Sequence, residues 1–109
     1  MIFQKDHIKK ILNGTKTMTR RSFRSRDRYR IGRTYTVQPG RGKHGLFKIK
    51  VTNLKFEWLG DITSEDIKAE GYNTKEEFVE AWKRFNKNYN PRQAVTVIKF
   101  EVEEAPTSS

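Results

Sequence analysis

The stretch "AVTVIKFEVE", Ala94 to Glu103, sets Ile98, Phe100 and Val102 against Lys99, Glu101 and Glu103. That period of two predicts a β-strand with one buried face. Upstream, "LFKIKVTNLKFEWL" (Leu46 to Leu59) sets Phe47, Ile49 and Val51 against Lys48, Lys50 and Thr52. It reads as a second half-buried strand, with a place to bend near Asn53. A shorter strand, "TYTVQ" (Thr34 to Gln38), precedes it across "PGRGKHG", a link with three glycines suited to a hairpin-type loop.

Helix signals fill the remaining intervals. In "TSEDIKAEGY", Thr63 is placed to cap, Asp66 follows three residues later, and Gly71 can stop the helix. In "NTKEEFVEAWKRFNKNYNP", Thr74 and Glu77 form a capping-box pattern, the last turn carries Lys83, Arg84 and Lys87, and Pro91 bounds the segment. Phe78, Trp82, Phe85 and Tyr89 fall along one face and read as a core stripe. At the N-terminus, "MIF" reads as a short strand and "DHIKKILNG" as a short helix that presents Ile8, Ile11 and Leu12 and stops at Gly14. From Lys16 the period changes to two, with Thr17 and Thr19 β-branched, so a strand leaves the helix end. Ser22 to Gly32 shows no apolar period and reads as an exposed loop. Helices set between strands predict a single α+β domain whose sheet curls around one core.

Composition narrows the function. Thirteen aromatics among 109 residues can fill a small core. No apolar run reaches membrane-spanning length, and the N-terminus lacks the apolar segment of a secretory signal, so a cytoplasmic location is expected and a membrane partner is not. The chain has no cysteine, and its two histidines, His7 and His44, are far apart, so neither disulfides nor a zinc site is expected. Charge is strongly uneven. Residues 1–50 hold 15 Lys/Arg against 2 Asp/Glu, whereas residues 51–109 hold 8 against 11. One basic face points to a polyanion, and nucleic acid is the natural one.

The basic charge is densest in "GTKTMTRRSFRSRDRYRIGR", Gly14 to Arg33. Arg20, Arg21, Arg24, Arg26, Arg28, Arg30 and Arg33 are candidates for phosphate contacts, with Arg41 and Lys43 on the glycine-rich loop. Phe23, Tyr29 and Tyr35 lie among or beside these arginines, an interleaving that suits stacking on unpaired bases with phosphate contacts around them, although Tyr35 also reads as a core residue. Trp58 and Trp82 read as packing residues. Residues 16–33 and 41–50 together would form a basic surface beside a cleft, with RNA or a modified nucleoside as the expected partner and DNA as the alternative.

The segments "ILNGTKTMTRR", "RIGRTYTV", "ITSEDIKAEGYNTKEEFVEAW" and "VTVIKFEV" resemble successive landmarks of the ASCH domain family, a branch of the PUA-like superfamily, over nearly the whole chain. The family's Gly-x-Lys-x-x-x-x-Arg segment is matched by Gly14, Lys16 and Arg21. The resemblance implies a PUA-like curled β-barrel flanked by short helices over residues 1–104, with a flexible tail at 105–109. It also implies a cleft for RNA or a nucleotide-like ligand, with no cofactor. Some members are amidohydrolases that deacetylate N4-acetylcytidine with a lysine, a threonine and a glutamate, here matched by Lys16, Thr19 and Glu70. Others bind nucleic acid or are ribonucleases, and a metal-independent ribonuclease would use Lys16 and the arginines. Arg33 stands where an acidic residue is usual, and the arginine-rich segment is unusually basic. Both favour a polyanion over a small free nucleoside.

Amide hydrolysis requires an activated nucleophile and a stabilised oxyanion. Lys16 could take the Thr19 proton only if burial and neighbouring cations lowered its pKa, and Glu70 would oppose that shift. Arg21 could hold an oxyanion or a phosphate. On a regular strand Lys16 and Thr19 face opposite ways, so sharing a site requires a bulge or a strand that begins after Lys16.

Overall fold

The computed structural model describes residues 1–104. The segment from 94 forms β4 (Ala94–Glu104), the inner partner of both β1 (Met18–Ser22) and β3 (Phe47–Trp58). β3 pairs in turn with β2 (Thr34–Val37), giving an antiparallel four-stranded sheet of order β1-β4-β3-β2. β4 is buried on both faces along its first half, where Val95, Thr96, Val97 and Ile98 are all sealed from solvent. The alternation that suggests one wet face holds only at Lys99, Phe100 and Glu101, which are exposed, buried and exposed in turn; Val102, expected on the buried face, is exposed.

The two sheet faces carry separate cores. Val95 and Val97 pack with Met18, Leu59, Ile67, Phe78 and Trp82 beneath α2 (Ser64–Ala69) and α3 (Lys75–Asn86). Phe100, of opposite parity on β4, packs with Phe3, Phe47 and Ile49 beneath Ile8 and Ile11 of α1 (Lys5–Leu12). Leu12 turns outward. β3 shifts register between Val51 and Asn53, so the bend expected near Asn53 is a β-bulge. The bulge has a consequence for side-chain direction. Ile49 and Val51 lie opposite Val102 and Phe100, and after the extra residue Leu54 and Phe56 lie opposite Ile98 and Thr96. The apolar residues of β3 change from odd to even numbers yet stay on one face.

Helix ends follow the capping signals. The hydroxyls of Thr63 and Thr74 accept from the amides of Asp66 and Glu77, and the Glu77 carboxylate accepts from the Asn73 amide. Gly14 and Gly71 take the positive φ values, 84° and 97°, that their stop positions require.

Four expectations need correction. The sheet is open, not a closed barrel: its edge strands β1 and β2 do not pair with each other. The segment "MIF" forms no strand; Ile2 makes a single parallel bridge to Gln38, and Arg21 of β1 reaches across to donate to the Ile2 carbonyl at 2.9 Å. A strip of backbone and an arginine side chain thus span the interval where a barrel would close. Phe23–Arg28 is a 3-10 helix, started by Ser22, whose hydroxyl accepts from the Arg24 amide. Phe85 is 59% exposed although it continues the α3 stripe, and α3 ends at Asn86, so Tyr89 lies beyond the helix. The tail 105–109 lies outside the described residues. No helix among the described residues is long and apolar enough to cross a membrane.

Candidate functional site

The site is built on the C-terminal end of α2. A helix leaves its last carbonyls without intrahelical partners and concentrates negative partial charge there. Here the chain leaving α1 meets that end. The Thr17 amide donates to Ala69 O at 2.9 Å, the Lys16 ammonium to Glu70 O at 2.6 Å, and the Lys10 ammonium to Gly71 O at 2.7 Å. The Lys16 amide is itself fixed by Lys10 O. Lys16 is therefore pinned by backbone on both sides, and β1 begins two residues later at Met18. This is the late strand start that allows Lys16 and Thr19 to share a site.

Glu70 closes the arrangement. Its Oε1 lies 3.4 Å from the Lys16 ammonium, and its Oε2 accepts from Arg20 Nη1 at 3.0 Å. Arg20 Nη2 donates to Asp66 Oδ2 at 2.8 Å and to the Glu57 carboxylate. Lys16, Thr19, Arg20 and Glu70 are each no more than 5% exposed. Burial lowers the Lys16 pKa, opposed by the charge and hydrogen bond of Glu70. Burial also works against the Arg20 charge, but Glu70, Glu57 and Asp66 outweigh it and raise its pKa. Arg20 is thus engaged by three carboxylates instead of being presented to a polyanion.

These groups wall a cavity of about 300 Å³ at the β1 edge of the sheet. Lys16, Thr19, Arg20, Arg21 and Glu70 line it together with Phe3, His7, Tyr72 and Trp82. Its walls therefore combine flat rings with a few converging polar groups, the usual make-up of a small-ligand site. The hydrogen bonds of the Lys16 ammonium go to Glu70 and none goes to Thr19. Arg21 places its guanidinium 4.8 Å from the Phe3 ring centroid, and its pKa is lowered by burial. His7 lies against Tyr72 with ring centroids 5.2 Å apart and the planes tilted by 59°. Burial, followed by the Lys16 charge, lowers the His7 pKa to about 4, and burial raises that of Tyr72 to about 12. Among the described residues no group of His, Asp and Glu side chains could hold a metal ion.

The structure divides the sequence-derived candidates into two sets. Lys16, Thr19, Glu70, Arg20 and Arg21 come together at the cavity. Arg24, Arg26, Arg28, Arg30, Arg33, Arg41 and Lys43 are exposed and lie outside it. Tyr29 is partly covered, edge-on to Tyr35 at 5.4 Å, and the Tyr35 hydroxyl accepts from the Arg30 amide at 2.8 Å. Both rings brace the arginine-rich segment. Trp58 is exposed, not packed, whereas Trp82 is buried as expected. Phe3, His7, Tyr72 and Lys10 carry no recognisable local signal and enter the site only through the fold.

A family model described as "ASCH domain" matches residues 1–104. The crystal structure of an ASCH domain from Lactobacillus crispatus JV V101 superposes with a TM-score of 0.74 at 15% identity, over 88% of this chain and 69% of that one. A protein from Enterococcus faecalis V583 gives a TM-score of 0.66 at 18% identity, over 88% of this chain and 66% of that one. The hypothetical protein PH0355 gives 0.72 at 20% identity, over 94% and 95% of the two chains. At these identities the likeness concerns the fold. No curated protein matches the chain. The family match, which spans every described residue, shows that the chain belongs to the ASCH domain family.

Proposed function

We propose that the protein is a nucleic-acid-binding ASCH domain whose cavity receives one nucleoside unit of RNA while the exposed arginines hold the neighbouring phosphates. The observation that carries this reading is the buried Lys16–Glu70 pair at the wall of an aromatic-lined cavity. Burying two charges brings little net stability, so such a pair beside an open cavity points to a ligand. Phe3, Tyr72 and Trp82 offer flat surfaces to a base. Lys16 can donate to a base carbonyl, and each Glu70 oxygen retains a lone pair for an exocyclic amine. The Trp82 indole N–H, buried without a partner among the described residues, is a further donor. The outer arginines supply the sequence-independent part of the affinity.

Binding of a labelled single-stranded RNA, measured by anisotropy while salt rises from about 50 mM to about 200 mM, should weaken by orders of magnitude. Lys16→Ala should remove binding of the single nucleoside. Affinity that is flat in salt, together with no nucleoside binding, would sink the reading.

Hydrolysis of an acetylated cytosine nucleoside is the second reading, favoured by a lysine with a burial-lowered pKa beside a threonine in one cavity. The neutral Lys16 amine would take the Thr19 hydroxyl proton as Oγ1 bonds the acetyl carbon. The base nitrogen would leave with that proton, and water would then release acetate from the threonine ester. Binding ranks first because the Lys16 hydrogen bonds go to Glu70 and not to the proposed nucleophile. Acetate release from N4-acetylcytidine by the metal-free protein, lost in Thr19→Val, would reverse that order.

A further inference from the structure

Phe23, Phe56 and Trp58 lie outside both core clusters and outside the cavity. Phe56 and Trp58 are two residues apart on β3 and so share a face, and they are 58% and 56% exposed. Phe23 meets Phe56 edge-on with centroids 5.2 Å apart, and the Arg26 guanidinium lies 4.2 Å from the Phe23 centroid. α1 packs on this sheet face at the Phe100 end; at the other end Thr96 of β4 is sealed, whereas its β3 partner Phe56, and Trp58 beyond it, stay exposed. Two exposed aromatics side by side on β3, with half-buried Phe23 set against one of them, mark a contact surface.

Its position relates it to the cavity. Phe56 lies opposite Thr96, and Thr96 opposite Arg21, so Phe56 stands two strands, about 10 Å, from a residue that walls the cavity. Phe23 directly follows Ser22, another wall residue. The aromatic surface begins where the cavity ends.

Charge selects the occupant. Arg24, Arg26 and Arg28 are exposed, with Asp27, on the turn that carries Phe23, and Arg92 shares a shallow depression with Trp58 and Asp61, so cations outnumber carboxylates at this surface. A second copy of a chain with net charge +10 would be repelled from such a surface, whereas a polyanion is drawn to it. We infer that Phe23, Phe56 and Trp58 form a stacking platform for the unpaired bases of single-stranded RNA that flank the nucleotide in the cavity, with the adjacent arginines on its phosphates. The inference rests on RNA being the ligand of the neighbouring cavity. Stacking suits unpaired bases of any sequence, since each offers a π face that a duplex hides.

The test compares a labelled oligoribonucleotide of about eight nucleotides with a mononucleotide. Trp58→Ala and Phe56→Ala should each lower oligonucleotide affinity about tenfold, with mononucleotide binding unchanged and the circular dichroism spectrum intact. Trp58→Phe should retain most of the affinity, and the oligonucleotide should quench the fluorescence of exposed Trp58. The inference is overturned if the Phe56/Trp58 double alanine variant binds the oligonucleotide within about twofold of the parent, a margin small against the stacking expected. It is equally overturned if a duplex binds as tightly with the same dependence on these residues, or if the substitutions convert a dimer to a monomer. The cavity reading fails separately: loss of oligonucleotide affinity in the platform variants, with no mononucleotide binding by the parent, leaves the platform standing alone.

Discussion

Replacing Lys16 and Arg20 separately by methionine distinguishes a ligand group from a structural one, because both are buried cations bonded to Glu70 and methionine preserves much of each side chain's length. Arg20→Met leaves Glu70, 3% exposed, with only the 3.4 Å contact to Lys16, and leaves Asp66 and Glu57 facing each other without their shared partner. Removing one member of a buried ion pair costs about 3–5 kcal/mol. For a domain of this size that lowers Tm by about 12–20 °C. Lys16→Met removes the donor to Glu70 O, a loss of about 1–3 kcal/mol, but it also relieves the burial of an ammonium, and Glu70 keeps Arg20 at 3.0 Å. The two terms nearly offset, so Tm should move by less than about 5 °C while nucleoside binding disappears. The pH dependence carries the same sign. The folded pKa of Lys16 lies below the ordinary 10.5; between the two values the unfolded chain binds more protons, so stability rises with pH through that window. Lys16→Met should abolish that rise. Thermal and urea unfolding followed by circular dichroism measure both effects. Equal destabilisation by the two substitutions, or a loss above about 3 kcal/mol for Lys16→Met, would refute the reasoning and make Lys16 a strut.

His7 has a folded pKa of about 4 against the ordinary 6.5, so the stability it contributes is present above pH 6.5 and lost as pH falls toward 4. His7→Gln should flatten that acidic limb of a Tm profile; an unchanged limb would contradict the assignment. Gly71→Ala places a methyl group at φ 97°, with Lys10 Cδ at 3.2 Å and Lys16 Cβ at 3.6 Å. It should cost about 1–3 kcal/mol and weaken nucleoside binding through displaced Lys16, whereas parent-like stability and binding would show that the turn tolerates a side chain.

What could be read in the sequence was what is local. The Thr63 and Thr74 caps and the strand signals of β3 and β4 involve neighbours a few residues apart, and the caps and both strands form as expected, although burial departs from the period of two in the first half of β4 and at the β3 bulge. The open sheet could not be read, because closure depends on whether β1 and β2 meet across the whole chain. The shift in β3 from Phe47, Ile49 and Val51 to Leu54, Phe56 and Trp58 is a change of parity visible in the sequence, and it marks the bulge at Asn53. That Phe56 and Trp58 are then left exposed depends on what packs over their end of the sheet, which no spacing reveals. At the site, Lys16 and Glu70 came together through a family resemblance, since 54 residues separate them. Periodicity gave no reason to bury either. The physical reason is the set of unpaired carbonyls at the end of α2, which draws Lys10, Thr17 and Lys16 to one place. Arg20, read as one of seven phosphate-seeking arginines, is set apart by facing Glu57, Asp66 and Glu70 across the fold.

The most direct test is a two-dimensional NMR titration of isotope-labelled protein with cytidine 5′-monophosphate. Shifts concentrated at Lys16, Thr19, Glu70 and Tyr72, with the Lys16 side-chain resonance among them, are the expected result. Shifts confined to the Phe23–Arg30 segment, with the cavity residues unmoved, would contradict it.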